Sequence, residues 1–255
     1  MTHAIVTGAS HGLGRAVALE LASQGTHVHL IARNASKLEQ VADEIRDTGG
    51  TATSRPLDVS ATQEYAAELT SIADINEVTQ MVCNGGGPKP GKLADLTLTD
   101  WDHANRLLVS STVAALTTVA PPMAARGYGR IVVVGSSSVR QPIDGLLLSN
   151  VYRAGVLSMV KSVAGDLIRA GVTINMASPG RIDTDRVRAL DTTRASTRGI
   201  GVDEERAASM SRIPAGRYGR PEEFASLVSF LLSPAAGYLT GQNILLDGGL
   251  VTAMP

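Results

Sequence analysis

Three glycines near the start of the chain are spaced to bind a phosphate. The run "AIVTGASHGLGRAVALELA" places them directly after an apolar stretch and at the start of a helical pattern. Glycine tolerates positive φ and lets a phosphate approach the backbone, and the free N–H groups and positive dipole end of a helix N-terminus attract an anion. A tight strand-to-helix turn alone would use the same glycines, but a first strand–helix–strand unit favours a dinucleotide site. We predict that the loop contacts a cofactor through Gly8, Ser10, His11, Gly12, Leu13 and Gly14.

The residue that follows the second apolar run indicates which dinucleotide is bound. A carboxylate at this place bonds the ribose 2′-hydroxyl of NAD, whereas an arginine pairs with the 2′-phosphate of NADP. The chain reads "HLIARN" here, with Arg33 and no acid. Arg33 could be merely a solvated loop residue, but the missing acid favours NADP(H) over NAD(H).

The elements that must position these residues alternate along the whole chain. Continuous apolar runs, separated by helical patterns such as residues 11–24 and 35–48, predict strands covered on both faces of a parallel sheet. We predict one α/β domain over residues 1–255, a doubly wound Rossmann fold with a seven-stranded parallel sheet and helices on both faces. A polar, Arg-rich stretch at about 181–220 breaks the alternation and is predicted to be a substrate-side lid. The strand runs are "AIVTG", "HVHLIAR", "ATSRPLDV", "TQMVCN", "GRIVVVGS", "GVTINMASPG" and "GQNILLDGG".

Composition narrows the classes of partner. Of the 255 residues, 44% are hydrophobic and 18% are charged, with a net charge of −1, so a large core can form. The absence of a basic block argues against nucleic acid or an anionic membrane as a partner. Cys83 is the single cysteine, which excludes an intramolecular disulfide and a cysteine-cluster metal site, and we predict no metal site. We see neither a signal peptide nor an apolar run of the roughly 20 residues that a membrane span needs, so we expect a cytoplasmic protein.

The glycine spacing resembles the Thr-Gly-x-x-x-Gly-x-Gly loop of the short-chain dehydrogenase/reductase family. The segments "LDVS", "VCNGGGP", "INMASPGRIDT" and "GRYGRPEEFASLVSFLLSPAAGYLTGQNILLDGG" resemble the same family, so the likeness covers essentially the whole chain. In "VCNGGGP", Cys83 replaces the first Asn of the family motif. The resemblance implies that the cofactor is also held by Asp58 and Val59 near the adenine, by Asn84 and Gly85, and at its nicotinamide end by Pro179, Gly180, Ile182 and Thr184.

Three of the four catalytic residues that the resemblance implies are replaced in this chain. In the family, a Tyr phenol donates a proton to the substrate oxygen, a Lys four residues later lowers the pKa of that phenol, and a Ser and an Asn complete the relay. An alignment without gaps puts Ser136 at the Ser position, Ser149 at the Tyr position, Arg153 at the Lys position and Leu108 at the Asn position.

The replacements alter proton delivery more than hydride transfer. The Ser149 hydroxyl is a much weaker acid than a phenol, while Arg153 could bind ribose hydroxyls and stabilise an oxyanion but cannot pass a proton on. Tyr152 could swing into the site or pack at a helix or subunit interface, and Ser136, water or the substrate could also supply the proton. We predict catalytic roles for Ser136, Ser149, Tyr152 and Arg153, with Arg153 also contacting the cofactor.

The sequence leaves three functions open. The first is hydride transfer between NADP(H) and a carbonyl or alcohol substrate by a modified proton route, and the retained cofactor motifs favour it. The second is a non-redox cyclase, isomerase or dehydratase, and the third is a catalytically silent NADPH-binding protein. Nine Arg against six acidic residues within 181–220 could meet the phosphates of a coenzyme A- or carrier-linked substrate. The resemblance also implies a homodimer or homotetramer formed through helices at about 98–126 and 149–170, with a second contact at 243–247.

Overall fold

The computed structural model describes residues 2–72 and 75–253, and its centre is a parallel sheet of seven strands. The strand order is β3-β2-β1-β4-β5-β6-β7, and it reverses between β1 and β4, where an open α/β sheet forms its ligand crevice. This architecture confirms the predicted Rossmann fold. The strands are His3–Thr7 (β1), His27–Ala32 (β2), Ala52–Pro56 (β3), Val78–Cys83 (β4), Gly129–Val134 (β5), Val172–Pro179 (β6) and Asn243–Leu246 (β7).

Helices cover both faces of the sheet. The first two and the last pack on one face through aliphatic side chains such as Val17 and Leu38, with Phe224 among them. Three others pack on the opposite face around Tyr65, Met123 and Val160. The helices are Gly12–Ser23 (α1), Ala35–Asp47 (α2), Thr62–Ser71 (α3), Leu98–Asn105 (α4), Ser111–Arg126 (α5), Leu147–Arg169 (α6), Asp185–Arg198 (α7), Val202–Met210 (α8) and Pro221–Leu232 (α9).

The predicted central helix at 98–126 contains an irregular turn. A π-helical stretch, Arg106–Ser110, joins α4 to α5, and such turns are frequent at functional sites. By length and composition alone Leu98–Arg126 could cross a membrane, but half of its most apolar window is buried in the protein, as in core helices. The strand predicted to run to Val59 instead ends at Pro56, and Asp58 lies in the turn after it.

The stretch predicted to be a lid folds into α7 and α8 around a buried carboxylate. Asp191 is fully buried, forms ion pairs with Arg181 and Arg206, and accepts a hydrogen bond of 3.0 Å from the Tyr218 hydroxyl. Both guanidinium groups also lie over the Tyr218 ring, with their central carbons 5.0 and 4.8 Å from its centroid. The charges of Arg181 and Arg206, which the sequence analysis counted toward binding a substrate phosphate, are therefore partly neutralised by Asp191.

Candidate active site

The glycine loop has a backbone that only glycine can adopt comfortably. Gly8 and Gly12 have φ values of +63° and +56°, and a Cβ added to Gly14 would lie 2.2 Å from the Gly8 carbonyl oxygen. His11 precedes α1 without a side-chain capping bond, and Ser10 Oγ instead lies 3.0 Å from its Nδ1. The first N–H groups of α1 are therefore left for an anion such as a pyrophosphate, which fits the predicted dinucleotide.

The segment after β6 crosses in front of this loop. A Cβ added to Gly12 would lie 3.5 Å from Thr184 Cγ2, so Thr184 faces the loop across the crevice. Gly180 donates its N–H to the Leu246 carbonyl at 2.9 Å, and Ile182 is buried. The structure thus brings the predicted nicotinamide-end residues to the same edge of the sheet as the phosphate loop, beginning with Pro179, which ends β6.

Arg33 and Asp58 meet at the adenine side of the crevice. The Arg33 side chain is 74% exposed and its Nη1 lies 3.9 Å from Asp58 Oδ2, so its guanidinium has room to pair with a phosphate. Burial on its own would raise the pKa of Asp58, but hydrogen bonds from Ser60 and the charges of Arg33 and His103 lower the pKa below its usual value. Asp58 is therefore a fixed anion beside the arginine. It does not fill the place of the acid that would bind a 2′-hydroxyl.

The strand that neighbours the glycine loop ends in tight backbone contacts. A hydrogen bond of 2.7 Å from the Asn84 N–H to Thr7 Oγ1 positions the backbone of Asn84. A Cβ added to Gly8 would lie 2.5 Å from the Asn84 carbonyl oxygen, and one added to Gly85 would lie 2.5 Å from the Leu107 carbonyl oxygen. The predicted cofactor residues at the ends of β1 and β4 therefore lie in direct contact.

Arg153 links the ends of three chain segments above the crevice. Its Nη1 donates to the carbonyls of Val134 and Gly135 at 2.5 and 2.9 Å, and its Nη2 donates to the Gly86 carbonyl at 2.6 Å. Its Nε donates to Ser149 Oγ at 3.2 Å, so four of its five N–H donors are used. Burial, and after it the charge of Arg186, lowers the pKa of Arg153 to about 10, so the group remains a cation at neutral pH.

Ser149 contacts this guanidinium, and Ser136 directly follows Gly135, whose carbonyl accepts a hydrogen bond from it. Ser136 Oγ accepts the N–H of Ser138 at 3.1 Å, which leaves the Ser136 hydroxyl proton to donate. Ser149 is buried and its oxygen faces Arg153 Nε, so it positions the arginine. Leu108, at the place of the family Asn, is buried and lines a cavity next to Arg153. That cavity offers about 20 Å³ to the centre of a water molecule, room for about one water.

The structure does not bring Tyr152 to the other three predicted catalytic residues. Its hydroxyl donates to the Trp101 carbonyl at 3.1 Å, and its ring packs edge-on against the Trp101 ring with centroids 5.7 Å apart. Burial, and then the charge of Asp102, raises the pKa of the Tyr152 phenol, which makes it a poorer proton donor. The geometry favours the packing interpretation.

Arg186 is a site residue that the sequence interpretation missed. Its guanidinium donates to the carbonyls of Gly87 and Pro88, both at 3.1 Å, and burial lowers its pKa. A Cβ on Gly87 would lie 2.1 Å from the guanidinium carbon of Arg186, so the third glycine of "NGGGP" is what makes room for this contact. The unexplained glycine tract was the signal that could have pointed to it.

Comparison with known proteins agrees with this geometry. A family model described as enoyl-(acyl carrier protein) reductase matches residues 8–251. A 3-oxoacyl-(acyl-carrier-protein) reductase, FabG, of Vibrio cholerae is 33% identical over 248 residues, which cover 97% of this chain and 96% of the relative. The chain belongs to the short-chain dehydrogenase/reductase family. The predicted family and oxidoreductase class are thereby confirmed, and the non-redox and silent alternatives are not favoured.

Solved structures of the family extend the likeness over the whole fold. An actinorhodin polyketide ketoreductase with NADPH superposes with a TM-score of 0.93 at 28% identity, covering 98% of this chain and 97% of that one. A 3-oxoacyl (acyl-carrier-protein) reductase of Agrobacterium tumefaciens with NADP bound gives 0.89 at 30% identity, covering 97% and 93%. The family relationship therefore rests on both sequence and three-dimensional structure.

Proposed function

We propose that the protein reduces the carbonyl of a small or carrier-linked substrate with NADPH, using Arg153 where the family uses a Tyr–Lys pair. The observation that carries this proposal is the guanidinium of Arg153, fixed by three carbonyls at the ends of β4 and β5. Relatives named as 3-oxoacyl and polyketide ketoreductases support a 3-oxoacyl thioester as the first substrate to test.

The cofactor is NADP(H), as predicted from Arg33. The 2′-phosphate would pair with the exposed Arg33 guanidinium, and the pyrophosphate would meet the uncapped start of α1 after Gly12. When bound, the reduced nicotinamide supplies a hydride. The residues that would hold this end follow β6, with Thr184 facing the phosphate loop.

Ser136 and Arg153 would act on the substrate oxygen. The Ser136 hydroxyl would donate to that oxygen, because its proton stays available while Oγ accepts the N–H of Ser138. The fifth N–H of Arg153, on Nη2, is left to stabilise the negative charge that develops there. A guanidinium keeps its proton, so the Ser136 hydroxyl would give its own proton to the substrate oxygen and take one from water in return.

NADPH consumption with a 3-oxoacyl thioester of coenzyme A and with simple ketones tests this proposal. Arg153→Met removes the cation and should lower kcat by roughly 10²–10³-fold, the usual cost of losing one oxyanion donor. Arg153→Lys keeps the positive charge but loses the forked guanidinium, so its kcat should lie between those of the wild type and Arg153→Met. Tyr152→Phe, at the next position of α6, should leave turnover unchanged because its hydroxyl bonds the Trp101 carbonyl.

Two results would contradict the assignment. A large loss of kcat in Tyr152→Phe would indicate that the Tyr152 phenol donates the proton to the substrate oxygen. NADPH binding without consumption on every substrate, in the wild type, would remove the reductase proposal altogether.

A homodimer or homotetramer is part of the same proposal. Val113 on α5 and Val151 on α6 are 42% and 45% exposed, so the two long helices present apolar surface where the family resemblance implies subunit contact. Sedimentation of the wild type against a Val151→Glu variant tests it: the charged variant should dissociate, and an unchanged mass would contradict that interface. The cytoplasmic location stays a prediction.

A further inference from the structure

Three histidines converge at the edge of the sheet opposite the cofactor loop. His3 begins β1 and His27 begins β2, and the two are register partners; His29 follows two residues later, so all three side chains leave the same face of the sheet. Their ring centroids are 4.7 to 5.7 Å apart. One nitrogen from each ring lies within 4.8 Å of the other two.

The outer nitrogens of two of these rings face hydrogen-bond acceptors. His3 Nε2 lies 3.4 Å from Glu77 Oε2, and His29 Nδ1 lies 2.8 Å from Thr53 Oγ1. The inner nitrogens of the same two rings, His3 Nδ1 and His29 Nε2, lie 3.4 Å apart. That distance suits either one proton shared between the two nitrogens or a metal ion bound by both.

The spacing of the inner nitrogens is what a tetrahedral zinc ion requires. Zinc–imidazole bonds are about 2.0–2.1 Å, and at a tetrahedral angle two such nitrogens lie about 3.3–3.4 Å apart. The distance between His3 Nδ1 and His29 Nε2 is 3.4 Å. Hydrogen bonds from the outer nitrogens to a carboxylate and a hydroxyl are the partners that usually orient metal-binding histidines.

We propose that His3, His27 and His29 form a zinc site, with Glu77 orienting His3. Three imidazoles suit Zn²⁺, and a water would complete the tetrahedron. The ion would hold β1 against β2, and because it binds only the folded chain it would raise stability. The strand β1 spans roughly 16 Å at about 3.3 Å per residue, so the site lies too far from Gly8 to take part in hydride transfer.

Calorimetric titration of the untagged, chelator-treated full chain with zinc chloride tests the site. We expect one ion per chain with a dissociation constant at or below micromolar, and a melting temperature about 5–10 °C higher at a zinc concentration 100 times that constant. His27→Gln and His3→Gln should abolish binding, and Glu77→Gln should weaken it about 10–100-fold. His103→Gln, which removes an exposed histidine of α4, is the matched control and should bind like the wild type.

Cobalt gives an independent readout. The tetrahedral ion should give the wild type a strong visible absorption that His27→Gln lacks. Circular dichroism without metal is the control, and it should show that His27→Gln is folded, since His27 is only half-buried. Zinc binding of wild-type strength in both ligand variants would overturn the site. So would the absence of binding heat in the wild type, which would leave a hydrogen bond between the inner nitrogens.

Discussion

Asp191→Asn is the sharpest test of what holds the segment 181–220, which contains α7 and α8, in its folded form. The substitution keeps the size of the side chain but removes the charge that two guanidinium groups share in a fully buried position. Removing one partner of a buried ion pair costs about 3–5 kcal/mol. Arg181 and Arg206 remain 16% and 23% exposed and can partly rehydrate, so the lower end applies, about 3 kcal/mol.

That cost has a measurable form. For a chain of this size, about 3 kcal/mol corresponds to roughly 6–12 °C in melting temperature if α7 and α8 unfold with the rest of the protein. If they unfold locally, the same free energy appears as faster amide hydrogen exchange across α7 and α8. Thermal denaturation and exchange measured together therefore account for the loss in either case.

Asp185→Asn is the control on the same helix. The Asp185 side chain is 74% exposed and its ion pair with Arg188 is 3.8 Å long, so we expect little change in stability or exchange. Equal effects of the two substitutions would refute the claim that the buried carboxylate stabilises the segment 181–220, because removal of any charge from α7 would then have the same effect.

Three further predictions concern Gly87, Cys83 and Glu223. Gly87→Ala places a Cβ against the Arg186 guanidinium and should raise the KM for NADPH or substrate several-fold, whereas an unchanged KM would show that the contact is dispensable. Burial raises the pKa of the Cys83 thiol to about 12, so a thiol reagent should modify it only as fast as the protein unfolds; rapid modification of the native protein would contradict this. The hydrogen bond from Arg217 lowers the pKa of Glu223 to about 2, so its stabilisation is present above about pH 4.5 and is lost as the pH falls towards 2. The melting temperatures of Glu223→Gln and the wild type should therefore converge on acidification, and a gap that persists at pH 2 would refute this.

The cofactor loop could be predicted from sequence because its requirements are local. Positive φ at Gly8 and Gly12 and the close approach of Gly14 to the Gly8 carbonyl are set within seven residues. The continuous apolar strands follow equally directly from burial on both faces. Two strands, β3 and β7, end three residues before the predicted ends. The apolar Leu57 and Val59 continue past Pro56 into a turn, and Asp247 to Gly249 follow β7 outside the sheet.

The direction in which a side chain points could not be predicted from the sequence. Whether Tyr152 enters the crevice depends on where Trp101 of α4 lies against α6, which no spacing within α6 reveals. The expectation of no metal site rests on the single cysteine and stays untested; it did not consider the histidines. His3 lies far along the chain from His27 and His29, and only the register of β1 against β2 places the three rings together.

The replacements in the active site are consistent with one another. A lysine acts on the family phenol through its charge, and without a phenol at position 149 that charge has no acid to activate. Arg153, at the position of that lysine, has a different role. Its guanidinium donates to the carbonyls of Val134, Gly135 and Gly86, which fixes a cation between the ends of the strands. A relay through Leu108 is closed, since its side chain offers neither donor nor acceptor beside the single-water cavity. In the proposed mechanism the proton arrives from the open side of the crevice, at Ser136, so turnover should depend on Arg153 and not on Tyr152.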